Sequence, residues 1–328
     1  MKVIVSAGGT GGHIYPALAI IDKIKKENPN SEFLYIGTTN RMEKDIIPEK
    51  GIPYFGIEIY GIKRSLSLSN IKSVTKFLTS IKKCKCKTLV HEQNSILGLS
   101  NKILLKYTDT LCTSFEKMTP SGVNYVYTGN PCTESAIETK AYKKEDFGLD
   151  KNKKTVLIVM GSLGSSTVNK VLLDSLNEFY SKDYQVLIVT GKNYYEEYKK
   201  VIKNKNVIIK PYIDGLVGAI KFSDVLVTRA GATTLAEILG VKIPSILIPS
   251  PYVTENHQYK NAMSLVSKNA ALLIEEKNLS VEKLIKQIDY LMDDKNKYKE
   301  IKNNLGKIRV QNSLDRIYDE IVKLTDKK

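Results

Sequence analysis

Two stretches of this sequence set small residues beside polar ones in a way that brings a ligand against backbone. The longer is Thr228–Ala262, TRAGATTLAEILGVKIPSILIPSPYVTENHQYKNA. Ahead of it the short apolar run Asp224–Val227 reads as a buried parallel strand, and Ala230-Gly231-Ala232 opens a helix that continues through Thr233, Thr234 and Glu237. A strand ending on a helix start presents unpaired N–H groups, which together with the helix dipole favour an anion such as a diphosphate. Glycine at the corner lets the ligand approach closely. Glu237 is either an acceptor for the vicinal hydroxyls of a sugar or a residue on a solvated helix face.

The second stretch is Ala7-Gly8-Gly9-Thr10-Gly11-Gly12-His13, between the β-rich run Lys2–Ser6 and a helix carrying Ile14, Ala17, Leu18 and Ile21. No Gly-Lys-Ser/Thr follows, and Ile14 occupies the third glycine position of a G-x-G-x-x-G fingerprint. The second strand, Phe33-Leu34-Tyr35-Ile36, runs into Gly37 instead of an acidic residue. Both features disfavour a nicotinamide or flavin enzyme. His13 is either a structural cap or a general base.

These loops need strands behind them, and the chain supplies strand-like runs at Tyr54–Glu58, Thr88–Val90, Thr110–Thr113 and Tyr125–Thr128. A polar, charged interval at Thr139–Lys154 reads as an interdomain linker. After it, Thr155–Met160, the small-residue loop Gly161–Ser166 and a helix over Val168–Tyr180 repeat the opening arrangement. Further strands are expected at Gln185–Val189, Val207–Ile209, Val225–Val227, Ser245–Ile248 and Ala271–Ile274, with a charged helical end beyond Ser280. The expected architecture is α/β, two Rossmann-like doubly wound domains facing a cleft. The first spans 1–138 and the second 139–309, and a helix over about 310–328 crosses back to the first.

With 328 residues the chain exceeds the usual size of one core, and 50 Lys+Arg against 35 Asp+Glu give a net charge of +15. Such a surface favours acidic partners. Between Glu58 and Glu92 every charged residue is basic, from Lys63 and Arg64 to Lys87, while Ile71, Val74, Leu78 and Ile81 recur at helical spacing. This interval is either an amphipathic helix for an anionic membrane surface or a packed helix with a solvated lysine face. It lacks the aromatic interleaving and the motifs of nucleic-acid binding. The four cysteines form no CxxC pair, which fits a reducing cytoplasm, and Cys84-Lys85-Cys86 has no second ligand cluster for a metal. The apolar run before the first glycines is too short for a signal peptide, and no later run is long enough to span a bilayer.

GGTGGH after the first strand, HEQNSILGLSNK at His91–Lys102, RAGATTLAE at Arg229–Glu237 and HQYKNA at His257–Ala262 together resemble the MurG family. These are bacterial transferases that add N-acetylglucosamine to the peptidoglycan lipid precursor. The resemblance runs in order along nearly the whole chain. It implies a two-domain GT-B fold, a UDP-N-acetylglucosamine donor held mainly by the second domain, and an undecaprenyl-linked acceptor met by the first at the cytoplasmic face of the membrane. Carried onto this sequence, Glu237 binds ribose, while Thr234, Ala232, Gly231 and Arg229 hold the diphosphate. Gln258 contacts the donor sugar, Ser162 closes on the phosphates and Ile213 holds uracil through its backbone. Thr10, Gly11 and Gly12 line the donor from the other domain. His13 is the candidate base, Glu92 a second catalytic group and Asn94 an acceptor contact. No cofactor and no metal are implied.

The sequence departs from the family pattern in three places. Lys82–Lys87 runs almost directly into Thr88-Leu89-Val90-His91, where the family carries a further strand, glycine loop and helix, so the first domain is expected to be short by roughly 30 residues, about one βα unit. Thr133 stands where arginine is usual, and Leu163 where glutamine is usual. Two other functions therefore remain open: transfer of the same sugar to another lipid or glycan, and binding of a nucleotide sugar without catalysis.

Overall fold

The computed structural model describes residues 1–58, 86–116, 122–160 and 165–326, so the basic interval from Lys63 to Lys85, with Cys84, and the loop residues Ser162 and Leu163 lie outside the described residues. The chain divides into two units, Met1–Pro131 with Val310–Lys328, and Cys132–Arg309.

In the first unit β1 (Lys2–Ser6), β2 (Glu32–Thr38) and β3 (Tyr54–Ile57) form one parallel sheet in that order. Helix α1 (Gly11–Glu27) buries Ile14, Ala17, Leu18, Ile21 and Ile24, a stripe at three- and four-residue spacing. Together with Tyr35, Ile47 of α2 (Glu43–Glu49) and Ile52 this stripe forms the core under the sheet. A second parallel sheet contains β4 (Leu89–Glu92), β5 (Thr110–Thr113) and β6 (Asn124–Tyr127). The helix Ser313–Asp326 returns to this unit, where Lys23 of α1 pairs with Glu27 and Asp315 and lies over the Tyr318 ring.

A doubly wound order sets the strand that follows β3 beside β1. Among the described residues no strand joins β1 to β4, and the two halves remain separate sheets. That is the position of the βα unit whose absence the sequence implies. Strand β1 alternates exposed and half-buried residues, whereas its counterpart in the second unit is buried throughout.

That second unit is a complete doubly wound sheet. Strands β7 (Thr155–Val159), β8 (Gln185–Val189), β9 (Val207–Lys210), β10 (Val225–Thr228), β11 (Ser245–Leu247) and β12 (Leu272–Leu273) are all parallel, in the order β12-β11-β10-β7-β8-β9. Their continuous Val, Leu and Ile runs follow from burial on both faces, and each fully buried side chain contributes about 1.5–3 kcal/mol. The order reverses between β7 and β10, so the loops at their carboxyl ends face the crevice where such sheets bind ligands.

Two expectations need correction. The helix expected over Val168–Tyr180 is two helices, Ser166–Asp174 and Leu176–Tyr180, because the Ser175 hydroxyl donates back to Val171 O at 2.6 Å and competes with helix continuation. The boundary falls at Pro131/Cys132 instead of after residue 138, since the helix Cys132–Glu138 packs on Ala232–Val241 of the second unit. The interval Thr139–Lys154 is likewise packed there: Tyr142 Oη donates to Asp214 O at 3.0 Å, and Phe147 lies between Tyr142 and Phe222.

Gly240 makes that helix contact possible, because a Cβ there would fall 2.6 Å from Thr133 O and 2.8 Å from Ala136 Cβ. Gly240→Ala is therefore expected to cost about 1–3 kcal/mol through overpacking, despite the better helix propensity of alanine. Urea denaturation measures it, and an unchanged or raised midpoint would contradict this packing.

Candidate functional site

In the second unit the site begins where β10 ends. Thr228 passes into Arg229-Ala230-Gly231, and the helix Ala232–Val241 starts with Gly231 as its N-cap, no side chain capping it and no acid in its first turn. A helix start of this kind turns its positive dipole end toward an anion. Gly231 keeps the approach open, with Thr234 Oγ1 the nearest atom to the position of its missing Cβ, at 3.7 Å.

Arg229 does not extend toward a ligand. Its guanidinium donates from Nη1 to Ile248 O at 2.9 Å and pairs through Nη2 with Glu276 Oε2 at 2.6 Å, both partners being buried. It ties the ends of β10 and β11 to the turn at Glu276 and so fixes the corner. Asn261, inside the HQYKNA motif but not anticipated as a site residue, steadies the same corner by donating to Ala230 O at 3.2 Å.

Gln258 stands in the first turn of the helix His257–Val266, and its Oε1 accepts from Ser250 N at 2.9 Å. With the oxygen fixed, the amide NH2 is the end left to donate to a ligand. The chain enters this helix through Glu255 and Asn256, whose φ values of 54° and 51° lie in the left-handed region. Ile213 is buried behind the exposed Tyr212, just after β9.

Glu237 is the residue that stands out. It is half-buried on the helix Ala232–Val241, and among the described residues no group donates a hydrogen bond to its carboxylate. Burial raises its pKa to about 7 from an ordinary 4.5. The thiol of Cys132 is pushed up as well, by its own burial and by the nearby Glu237.

The first unit presents a second group of residues, also at the carboxyl ends of parallel strands. Thr10 is the N-cap of α1 in extended conformation, and its carbonyl accepts from His13 N at 3.0 Å. His13 is exposed in the first turn, and that turn contains no acid. Gly11 lies against the Tyr15 ring, leaving 3.0 Å for a Cβ.

Glu92, expected to be catalytic, is buried and accepts four hydrogen bonds. Oε1 accepts from Asn94 N at 2.9 Å and Asn94 Nδ2 at 3.2 Å, while Oε2 accepts from Gly98 N at 2.9 Å and Asn101 Nδ2 at 2.8 Å. Such a carboxylate shapes the HEQNSILGLSN loop and orients Asn94. The neighbouring His91 holds Gly129 O from Nε2 at 2.9 Å, and burial lowers its pKa, so the ring is a neutral structural donor. Glu43 was not anticipated at all: it is buried and holds the glycine loop from α2. Its loop partner Gly9 lies 34 residues away, and no spacing rule points to it.

The family models that match are the glycosyltransferase family 28 N-terminal domain over residues 3–87 and the C-terminal domain over residues 155–317. UDP-N-acetylglucosamine–N-acetylmuramyl-(pentapeptide) pyrophosphoryl-undecaprenol N-acetylglucosamine transferase 2 of Bacillus thuringiensis (strain Al Hakam) is 40% identical over 365 positions, covering 100% of both chains. The Bacillus subtilis (strain 168) transferase of the same name is 40% identical over 362 positions, covering 99% of each. Both alignments are longer than this chain of 328 residues, so the relatives carry residues it lacks. Among solved structures, the fold is similar to Acinetobacter baumannii MurG, with a TM-score of 0.73, 23% identity and coverage of 98% of this chain and 99% of that one.

The raised pKa of Glu237 has a measurable consequence. Between pH about 4.5 and about 7 the unfolded chain releases this proton while the folded chain keeps it, so the group's contribution to stability falls as pH rises through that window. Glu237→Gln removes the penalty. Without ligand the variant is expected to melt higher than the parent at pH 8 and to show a smaller difference at pH 5. Equal differences at the two pH values would contradict the burial account.

Proposed function

Since the chain belongs to glycosyltransferase family 28, and within it to the UDP-N-acetylglucosamine–N-acetylmuramyl-(pentapeptide) pyrophosphoryl-undecaprenol N-acetylglucosamine transferases, we propose the following division of its chemistry among its residues. The enzyme moves N-acetylglucosamine from UDP-N-acetylglucosamine to the undecaprenyl-linked muramoyl-pentapeptide in peptidoglycan synthesis. The observation that carries the assignment of the donor site is the undonated Glu237 carboxylate on a helix with an uncapped start. Ribose hydroxyls supply the donors that Glu237 lacks. The helix start at Ala232 and Thr234 receives the diphosphate, the Gln258 amide donates to the sugar, and the backbone at Ile213 meets uracil. Arg229 acts indirectly, by fixing the turn.

In the transfer step the acceptor 4-hydroxyl oxygen attacks the anomeric carbon with inversion, and the bond from that carbon to the β-phosphate oxygen breaks. The hydroxyl proton passes to His13, and the negative charge that develops on departing UDP is stabilised by the helix start. Thr10, Gly11 and Gly12 present His13, while Glu92 acts through the loop that carries Asn94.

Among the described residues no helix is long and apolar enough to cross a membrane. Peripheral attachment to an anionic cytoplasmic membrane face is the reading supported by the net charge of +15 and by a lipid-linked acceptor. The interrupted sheet of the first unit keeps a second reading open, donor binding with a different acceptor or with none.

Radiolabelled sugar transfer by the purified protein to the lipid acceptor in anionic vesicles separates these readings. Transfer is expected. His13→Ala is expected to lower kcat by about 10²–10⁴-fold with donor affinity retained. Glu237→Ala is expected to weaken donor binding by about 1.5–3 kcal/mol, the worth of hydrogen bonds to a charged group. UDP-N-acetylglucosamine binding without transfer to this lipid would overturn the proposed acceptor.

A further inference from the structure

The glycine loop between β1 and α1 has little to hold it locally. Gly9 has a φ of 92°, and the N-cap Thr10 makes no side-chain cap. Its anchor comes from α2. Glu43 is fully buried, and its Oε2 accepts from Gly9 N at 3.1 Å, while Oε1 accepts from Thr38 N at 3.1 Å and from Thr38 Oγ1 at 2.7 Å. Tyr35 Oη adds a bond to Ala7 O at 2.6 Å, and Tyr54 Oη secures Thr38 O at 2.6 Å. Among the described residues no basic side chain forms an ion pair with Glu43. Burial alone would raise its pKa, yet the bonds from Thr38 and Gly9 hold it below the usual carboxylate range.

Two glycines record how closely this carboxylate approaches. A Cβ on Gly8 would fall 2.6 Å from Glu43 Oε1, and one on Gly37 would fall 2.7 Å from Glu43 Cγ and 2.5 Å from Tyr54 Oη. The space beside the loop is thus filled by the glutamate, and the Gly9 N–H is committed to it instead of to a ligand.

We infer that Glu43 is a positioning residue for the transfer reaction, a buried carboxylate that holds the loop of Gly8 to His13 in the form that presents the His13 base. It touches no reacting atom and acts through Gly9. The inference rests on the assignment of His13 as base.

Glu43→Gln is the informative change, because an amide oxygen at the Oε1 position keeps both Thr38 bonds while its NH2 meets the Gly9 N–H, donor against donor. The fold is retained and the loop is released. The expected result is a kcat lowered on the order of 100-fold, as for a catalytic group displaced by about an ångström. The loss in kcat far exceeds any loss of donor affinity, and hydrogen–deuterium exchange is faster in the segment of Gly8 to His13 but not in β1 or the body of α1. An unchanged kcat, an equal loss of donor affinity, or exchange unchanged in the loop would each overturn the inference. His13→Ala, assayed alongside, keeps the two readings apart. Full activity of that variant removes the base assignment and this inference with it, whereas an inactive His13→Ala beside a fully active Glu43→Gln removes this inference alone.

Discussion

A carboxylate withdrawn from water either receives hydrogen bonds or takes up a proton, and the loops of this enzyme are organised around that constraint. Three glutamates meet it in two ways. Glu43 and Glu92 are surrounded by donors, among them the backbone N–H groups of Gly9, Asn94 and Gly98 in glycine-containing loops and that of Thr38 at the end of β2. Each turns an otherwise loose loop into a defined one. Glu237 receives no such donors and sits near neutrality in its proton affinity. In the proposed donor site this undonated carboxylate is the group that the hydroxyls of the sugar nucleotide meet.

The sheets decide where these loops are. In the second unit six parallel strands, the inner four buried throughout, place the turn after β10 at the reversal point of the strand order, and a helix begins there with no side-chain cap on its N-cap residue. Arg229, Asn261 and Glu276 then lock the corner, which in the proposed site leaves the helix start to face the diphosphate. An anion held this way needs no rearrangement as charge develops on the leaving group. The first unit uses the same device with less support. Its β1 lacks a partner on one side among the described residues, and the Glu43 anchor on the glycine loop is correspondingly important there.

The apolar runs and glycine corners of the sequence placed the strands well, because buried parallel strands admit little but Val, Ile and Leu, and the loops between them need small residues. Local pattern did not reveal contacts between distant residues. Gly9 and Glu43 lie 34 residues apart, and only their meeting in space shows that the acid in EKDIIPE is a loop anchor and not a surface charge. Arg229 looked like an anion ligand because its motif is beside the anion site, yet its partner Glu276 belongs to a turn far along the chain. Glu92 was given a catalytic role by the family resemblance alone, and only the fold shows the four donors through which it holds its loop. The break at Ser175 and the boundary at Pro131 were hidden for a similar reason, since a hydroxyl turned back on the helix and a helix packed across to another element leave no periodic trace.

The central claim is that Glu237 is left without donors so that the ribose of the nucleotide can supply them. Titration of its side-chain carboxyl carbon by NMR, with and without saturating UDP, measures this directly. The account predicts a midpoint of about 7 in the free protein and a clearly lower one with UDP bound, because hydroxyl donors stabilise the carboxylate. A free-protein midpoint in the ordinary carboxylate range, or one that UDP does not move, would contradict it.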